Sequence, residues 1–171
     1  MKKSLWVIMT FLTMCLSAQA QKFALIDMEY IMENIPAYKR ANDQLAQSSK
    51  QWQAEVEKLS GEAKALYQDY QKSSRAWSDA QKKQKEDAIV AKEKSAAELR
   101  RKYFGPEGEM AKKQQELIKP IEDQVYEAVK AIATQRGYAA VVDRASATSL
   151  IFASPSIDIS NDVLTKLGYS N

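Results

Sequence analysis

Cysteine and histidine are almost absent from this chain. The 171 residues include one cysteine, Cys15, and no histidine. Imidazole bases and disulfides within the chain are therefore excluded, and so are nitrogen or sulfur metal sites of the usual composition. The glycine-rich phosphate loops and the nucleophile elbow found in many enzymes are missing too. We expect a protein that is not an enzyme and that needs no cofactor or metal ion.

The first twenty residues have the features of a cleavable secretory signal peptide. Two lysines precede an apolar stretch over residues 5–16, and the small-residue pattern Ala-Gln-Ala follows at 18–20. We predict cleavage before Gln21 and secretion to the periplasm, with a net charge of about +1 on the mature chain. An alternative uses Cys15 for lipid attachment, but Met14 stands where a lipoprotein signal needs a small residue.

Glycine and proline are scarce, with five and four residues, and the middle of the chain has a helical pattern. Apolar residues recur every seven positions in two rows: Leu45, Trp52, Leu59 and Leu66, and Val56, Ala63 and Tyr70. This spacing is typical of a coiled-coil seam. The pattern weakens over residues 73–78, where Ser78 and Asp79 are typical of a new helix start, so we predict a chain reversal there. The seam resumes from Ile89, which predicts two arms packed on each other.

The stretch "GPEG" at residues 105–108 interrupts the second arm. A reversal at this point would leave roughly forty residues of seam, about 60 Å of helix, without a partner. We therefore interpret it as a kink, with Gly105 ending one helical segment and Pro106 starting the next. Gly137 is predicted to cap the end of the returning helix.

Strand-like segments lie at both ends of the mature chain. They are residues 23–26, 138–143, 149–154 and 156–160, with a short final helix after the last. Four short strands split between the chain ends predict a small sheet that requires those ends to meet. Such a sheet has exposed edges and little core, so we expect it to assemble between subunits.

The predicted fold class is α+β: a long antiparallel coiled-coil helical hairpin on a small β-sheet body. We assign residues 21–35 to the first strand and the start of the first helix, 36–119 to the hairpin arm, and 120–171 to the base helix, strands and final helix. The arm includes the kink near 105–108.

Charge is uneven along the hairpin. Residues 72–102 carry ten basic and five acidic side chains, an excess of +5. A solvated helix face, with carboxylates paired to lysines four residues away, is one explanation. The alternative is an anionic partner: a membrane surface, an acidic unfolded chain or, least favoured, nucleic acid. Among the aromatic residues, Tyr67 and Trp77 fit the seam least well, and we expect Trp77 at the tip to be exposed.

Three segments together resemble a known family. "FALIDMEYIM", "RGYAAVVD" and "DISNDVLTKL" are similar to the first strand, the later strand and the last helix of the Skp (OmpH-like) family of periplasmic chaperones of Gram-negative bacteria. The resemblance covers essentially the whole mature chain, and "FGPEG" departs from the continuous return helix of that family. It implies a homotrimer whose strands form a β-barrel body. It also implies helical arms around a cavity that holds unfolded outer-membrane β-barrel precursors without ATP.

Two sets of residues follow as hypotheses. The client-binding set combines basic and aromatic side chains: Tyr67, Lys72, Arg75, Trp77, Lys82, Lys83, Lys85, Arg100, Arg101 and Lys102. The trimer-body set is apolar: Ile26, Val141, Val142, Ile151 and Phe152. Transient contact with an anionic membrane surface or lipopolysaccharide stays open, and no nucleic-acid partner is expected. A structural adaptor that docks another envelope component through the hairpin tip is the alternative function.

Overall fold

A computed structural model describes residues 22–169 of the chain, so the predicted signal peptide and Cys15 lie outside the described residues. In chain order the elements are β1 (Lys22–Ile26), α1 (Met28–Glu33), α2 (Pro36–Ser73), α3 (Asp79–Phe104), α4 (Glu109–Arg136), β2 (Tyr138–Asp143) and α5 (Ser160–Lys166), with short 3-10 helices at Ser74–Ala76 and Pro155–Ile157. The predicted α+β class is confirmed. The described residues form two compact units, one of residues 32–125 and one of residues 22–31 with 126–169.

Helices α2 and α3 form the predicted hairpin. Pro36 begins α2, where its missing N–H is tolerated. The chain reverses through Ser74–Ala76, as the sequence predicted. Ser78 then caps α3 through a reciprocal pair of bonds: its Oγ accepts from the Gln81 N–H, and Gln81 Oε1 accepts from the Ser78 N–H. Such a capping box satisfies two backbone N–H groups that a helix start leaves without a partner, which fixes where α3 begins.

The seam between the two helices follows the heptad pattern, and the second row is the deeper one. Val56 and Ala63 are buried, whereas Leu59 and Leu66 of the first row are half-buried. Ile89 and Ala96 are the buried residues of α3. Full burial of a side chain such as Val56 contributes about 1.5–3 kcal/mol. The predicted packing of the two arms is confirmed.

The "GPEG" stretch is a closed turn between α3 and α4. Gly105 ends α3, and the Gly108 N–H donates to the Gly105 carbonyl at 2.9 Å. Pro106 therefore lies at the second position of a β-turn, which it favours, rather than at the start of the next helix as the sequence predicted. Helix α4 begins only at Glu109. The stretch is a break within the returning arm and not the hairpin tip, as expected.

The ends of the chain meet in a two-stranded parallel sheet. Strands β1 and β2 pair in register, with Leu25 opposite Val142 and Ile26 opposite Asp143. Helix α4 reaches β2 through Gly137, whose φ of 69° is the left-handed conformation expected of a glycine cap. The first strand and final helix bury Ala24, Val163 and Leu164. The prediction that the two ends form one sheet is confirmed.

Two of the four predicted strands are not strands in residues 22–169. Residues 149–154 have no regular structure, and residues 156–160 contribute only a single bridge, between Asp158 and Leu25. A strand needs a neighbour for its backbone hydrogen bonds, and residues 149–154 find no such neighbour within the described chain. Their apolar, β-branched composition favours an extended chain but cannot supply the partner.

Candidate functional site

The basic excess on the hairpin is partly neutralised by ion pairs. Lysines 82, 83, 85, 92 and 94 pair with Asp79, Asp87, Asp69, Glu62 and Glu98 respectively. Three of these pairs join neighbouring turns of α3, as the sequence predicted, and two cross from α3 to α2. Within residues 22–169, the basic side chains of the 72–102 segment that form no ion pair are Lys72, Arg75, Arg100, Arg101 and Lys102.

These unpaired cations form two clusters. Lys72 and Arg75 lie at the reversal of the hairpin, and the other three, Arg100, Arg101 and Lys102, lie in the last turns of α3. About 30 Å of helix separates the second cluster from the start of α3. Cations in a last turn also stabilise the negative end of the helix dipole. The positive charge available to a partner is therefore divided between the tip and the break.

The tip is a packed aromatic cluster. Trp77 meets Tyr70 edge to face with ring centroids 5.8 Å apart, and the Lys85 ammonium lies 5.4 Å from the Trp77 ring centre. The Tyr70 hydroxyl donates to Glu86, which raises the pKa of Tyr70. Trp77, predicted to be exposed at the tip, is half-buried.

One flank of the hairpin is closed by bonds between the helices. Glu62 Oε2 lies 2.5 Å from Lys92 Nζ, and the Tyr103 hydroxyl donates to Glu55 Oε2 at 2.5 Å. The Lys92 ammonium lowers the pKa of Glu62, and the bond to Glu55 raises the pKa of Tyr103. Together with the ion pair between Lys85 and Asp69, these two bonds define what we call the bridged flank. Its acceptors are the acidic residues at 55, 62 and 69, a seven-residue spacing beside the seam that the sequence analysis missed.

The other flank carries an open groove of about 370 Å³. Its lining comes from matching positions of the two helices: Ser60, Ala63, Lys64 and Tyr67 of α2, and Glu93, Ala96, Ala97 and Arg100 of α3. Both sets follow the i, i+3, i+4, i+7 spacing of one helix face. Ala63 and Ala96 form the buried floor, and the side chains of Tyr67 and Arg100 are exposed. Of the predicted client-binding set, these two lie together here.

The break lies beside an aromatic stack across the hairpin. The rings of Trp52 and Tyr103 are 5.0 Å apart and nearly parallel, at 8°. Phe104 meets Tyr103 edge to face at 6.4 Å. Offset stacks of this kind contribute about 0.5–1.5 kcal/mol beyond the area they bury. The stack joins the last turn of α3 to α2 immediately before the chain leaves the helix at Gly105.

Predicted trimer-body residues differ in exposure. Ile151 is 100% and Phe152 83% exposed, and Val142 on β2 is 40% exposed. Val141 is half-buried, and Ile26 is buried within the chain itself. Phe23 adds a further exposed apolar side chain on β1 that the sequence analysis did not select. The loop and the outer sheet positions are therefore apolar surface without cover in one chain.

Charged groups hold the chain ends together in the same unit. The Asp27 carboxylate accepts from the Tyr30 N–H at 2.9 Å and from the Arg144 guanidinium at 2.9 and 3.0 Å. The bond from Tyr30 and then Arg144 lower the pKa of Asp27 against the opposing effect of burial. The Asp27 N–H donates to Ser160 Oγ at 2.8 Å, which ties β1 to α5. Asp143 accepts from the Met28 N–H at 3.1 Å.

Metal-binding clusters and membrane-spanning helices are both missing from the described part of the chain. Within residues 22–169, acidic side chains do not gather into a group that could hold a metal ion. The helices in this range that are long enough to cross a membrane are too polar to do so. What the hairpin provides is a surface of unpaired cations and exposed aromatic rings, with an open groove on one flank.

The fold and this surface define an α+β protein whose antiparallel helical hairpin presents unpaired cations and exposed aromatic rings. The family model described as outer membrane protein (OmpH-like) matches residues 22–167, and the chain belongs to this family. Chaperone protein Skp of Yersinia enterocolitica is 25% identical over 151 residues, which cover 88% of each chain. A crystal structure of an OmpH-like protein from Caulobacter crescentus has a similar fold, with a TM-score of 0.66 at 12% identity over 88% of this chain and 86% of that one.

Membership confirms the resemblance of the three sequence segments. It supports a chaperone role for the chain and a role that is not enzymatic. The "GPEG" turn, which the sequence analysis identified as a departure from the family pattern, is present as a break between α3 and α4.

Proposed function

We propose that this protein is an ATP-independent periplasmic holdase that binds unfolded outer-membrane β-barrel precursors and prevents their aggregation. The observation that carries the proposal is the hairpin surface. Within residues 22–169, five cations of the 72–102 segment form no ion pair, and the hairpin that carries them also presents an open groove and exposed aromatic side chains. Many weak contacts of this kind retain an unfolded chain through high effective concentration without a single tight site.

The charge distribution favours capture of acidic chains. Exposed cations accelerate the approach of an anionic partner, and their effect beyond about 10 Å is largely screened at 0.1 M salt. Apolar contacts along the arm are not screened. Release then requires only a better competitor, which the client's own folding or membrane insertion provides.

The proposal includes assembly into a homotrimer through the body unit. Ile151 and Phe152 are too apolar and too exposed for a loop that stays in solvent. Within residues 22–169 the outer edge of β2 is unpaired, and that of β1 is paired only through the bridge between Leu25 and Asp158. Residues 149–154, which lack a sheet partner in the described chain, are the natural segment to gain one from another subunit. Exposed Val142 on β2 lies on the surface that such contacts would cover.

The adaptor alternative is less well supported. A docking tip needs a compact patch whose side chains are free to meet a partner. Trp77 instead packs on Tyr70 and beneath Lys85, and Glu86 occupies the Tyr70 hydroxyl. The tip aromatic rings are therefore engaged within the hairpin, and the unpaired cations are divided between the tip and the break rather than gathered in one patch.

Light scattering tests the holdase proposal. An unfolded outer-membrane β-barrel protein is diluted from urea with and without the mature chain, in buffer without nucleotide. We expect scattering to be suppressed at stoichiometric concentration of the chain, with the client recovered in soluble complex. Unchanged aggregation at a several-fold excess of the chain would contradict the proposal.

A further inference from the structure

The two flanks of the hairpin differ in a way that the heptad seam does not require. On the bridged flank, three pairs cross between the helices, at Glu55–Tyr103, Glu62–Lys92 and Asp69–Lys85. The side chains of the eight residues that line the groove on the other flank make no hydrogen bond or ion pair with one another. The nearest bond on that flank, Tyr70–Glu86, lies towards the tip.

The charged side chains around the groove remain available. Within residues 22–169, Lys64, Glu93 and Arg100 have no ion-pair partner, although neighbouring Lys92 and Lys94 both do. A long cationic side chain beside an exposed carboxylate and an open groove could close the groove, as Lys92 closes the opposite flank. It does not do so here, and the groove retains a net charge of +1.

The shape of the groove limits what it can hold. From Ser60 to Tyr67 it runs for about 10 Å along α2. Side chains on one face of an extended chain are about 6.6 Å apart, so the groove spans two of them. A volume of about 370 Å³ lies at the lower end of the range for ligand pockets. The buried alanine floor admits a flat ring, and Tyr67 and the cation of Arg100 offer a ring edge and a cation–π partner.

We propose that this groove is a subsite for one aromatic side chain of an extended client segment, with an acidic client residue beside it paired to Arg100 or Lys64. The inference rests on the proposed function and names the feature of the client that this flank recognises. Strands of outer-membrane barrels carry aromatic girdles near both ends, which supply the aromatic anchor, and a residue two positions further along an extended segment lies on the same face as that anchor. The net positive charge of the groove favours an acidic client residue beside the aromatic anchor.

A groove-filling variant with a matched control tests the subsite. Ala97→Leu places a larger side chain over the floor, whereas Ala88→Leu makes the same change on the same helix nine residues away, half a turn around its axis. Both alanines are exposed, so neither change disturbs the seam. The probe is an extended fluorescent peptide of about ten residues that contains a Tyr and, two positions later on the same face, an Asp. A second peptide has Ser in place of the Tyr.

Fluorescence anisotropy should separate the outcomes. We expect Ala97→Leu to weaken binding of the tyrosine peptide about five-fold and Ala88→Leu to leave it unchanged, with both variants binding the serine peptide as weakly as the parent does. Arg100→Gln, which leaves the alanine floor intact, should weaken binding of the tyrosine peptide and reduce the difference in affinity between the two peptides. Equal binding of the tyrosine peptide by the parent and Ala97→Leu would overturn the subsite.

Three further results bear on the subsite, and the last two distinguish its failure from that of the proposed function. If Ala97→Leu changes the sedimentation of the chain while peptide binding persists, the groove belongs to a contact between copies and the subsite is wrong. If the parent suppresses aggregation of the full-length client but does not prefer the tyrosine peptide, the subsite fails and the holdase proposal stands. If the parent suppresses no aggregation, the proposed function fails, whatever the peptides show.

Discussion

Replacing the break between α3 and α4 by alanine should convert two helices into one. A Cβ atom on Gly105 would lie 2.4 Å from the Arg101 carbonyl oxygen, and one on Gly108 would lie 2.8 Å from the carbonyl oxygens of Lys102 and Tyr103. These contacts are with backbone atoms at the end of α3, which cannot move away like a flexible side chain. The turn therefore cannot accept alanine at either position without a change of backbone conformation.

The alternative conformation is a continuous helix. Relative to the native residues, alanine recovers about 1 kcal/mol of helix propensity at each glycine and about 3 kcal/mol at Pro106, about 5 kcal/mol in total. The gain in helix propensity and the steric clash in the turn both favour the continuous helix. We expect the triple variant Gly105→Ala, Pro106→Ala and Gly108→Ala to be helical without interruption over residues 79–136, and the arm to be stiffer.

Spin labels on Val90→Cys and Gln114→Cys measure the change. Both positions are exposed, one on each side of the break and within the same compact unit. The chain has no cysteine after the predicted leader, so the two labels are the only ones. A continuous helix places the two backbone positions about 36 Å apart. The triple variant should give one narrow distance distribution near that value, and the parent should give a different mean or a broader one.

Gly61→Ala is the matched control. Gly61 lies inside α2 with nothing within 4 Å of a Cβ atom, so alanine should raise the free energy of unfolding by about 1 kcal/mol without moving the labels. An identical mean and breadth for parent and triple variant would refute the steric reasoning. If the break gives the arm its flexibility, the amount of unfolded client held per chain should fall in the triple variant and not in the control.

Three other predictions concern charge, pH and assembly. Arg100→Gln with Arg101→Gln removes two cations without breaking an ion pair. Stopped-flow association with an acidic precursor should therefore slow and lose part of its salt dependence. An unchanged association rate would mean that these cations are only a solvated helix face. Because the pKa of Asp27 is lowered in the folded chain, its contribution to stability is present above its unfolded pKa and is lost as pH falls through the folded one. Asp27→Asn should flatten the loss of stability below about pH 4 in thermal unfolding, relative to the parent. The mature chain should sediment as a trimer near micromolar concentration, and Ile151→Asp with Phe152→Asp should shift it towards monomer; a well-folded parent monomer would contradict the assembly.

The charge experiment depends on which cations are paired, and the sequence could not supply this. Reversing Lys82, Lys83 and Lys85 is the obvious choice from the sequence, since they stand together in the basic segment. Each of the three forms an ion pair, with Asp79, Asp87 and Asp69, so reversal would also place like charges side by side at the tip. Arg100 and Arg101, which form no ion pair within residues 22–169, are therefore the better residues to change in the charge experiment.

Local signals in the sequence predicted the helical part of the fold. The seven-residue spacing specified the seam, the Ser78 capping signal specified where α3 begins, and Gly137 marked the end of α4. These features depend on interactions between residues a few positions apart, whose geometry the helix itself fixes. The break at residues 105–108 belongs to the same class, although the exact start of α4 did not follow from it.

Features that join distant parts of the chain were decided by the tertiary structure. The pair of Glu62 with Lys92 and the open groove beside Tyr67 exist because α2 and α3 meet in one register, and a shift of a few residues would exchange those partners. The same limit explains the over-prediction of strands. Residues 149–154 have the composition of a strand, but a strand forms only where another backbone offers its hydrogen bonds, and in the described chain none reaches them. Composition sets what a segment can form, and the neighbours that folding provides determine what it does form.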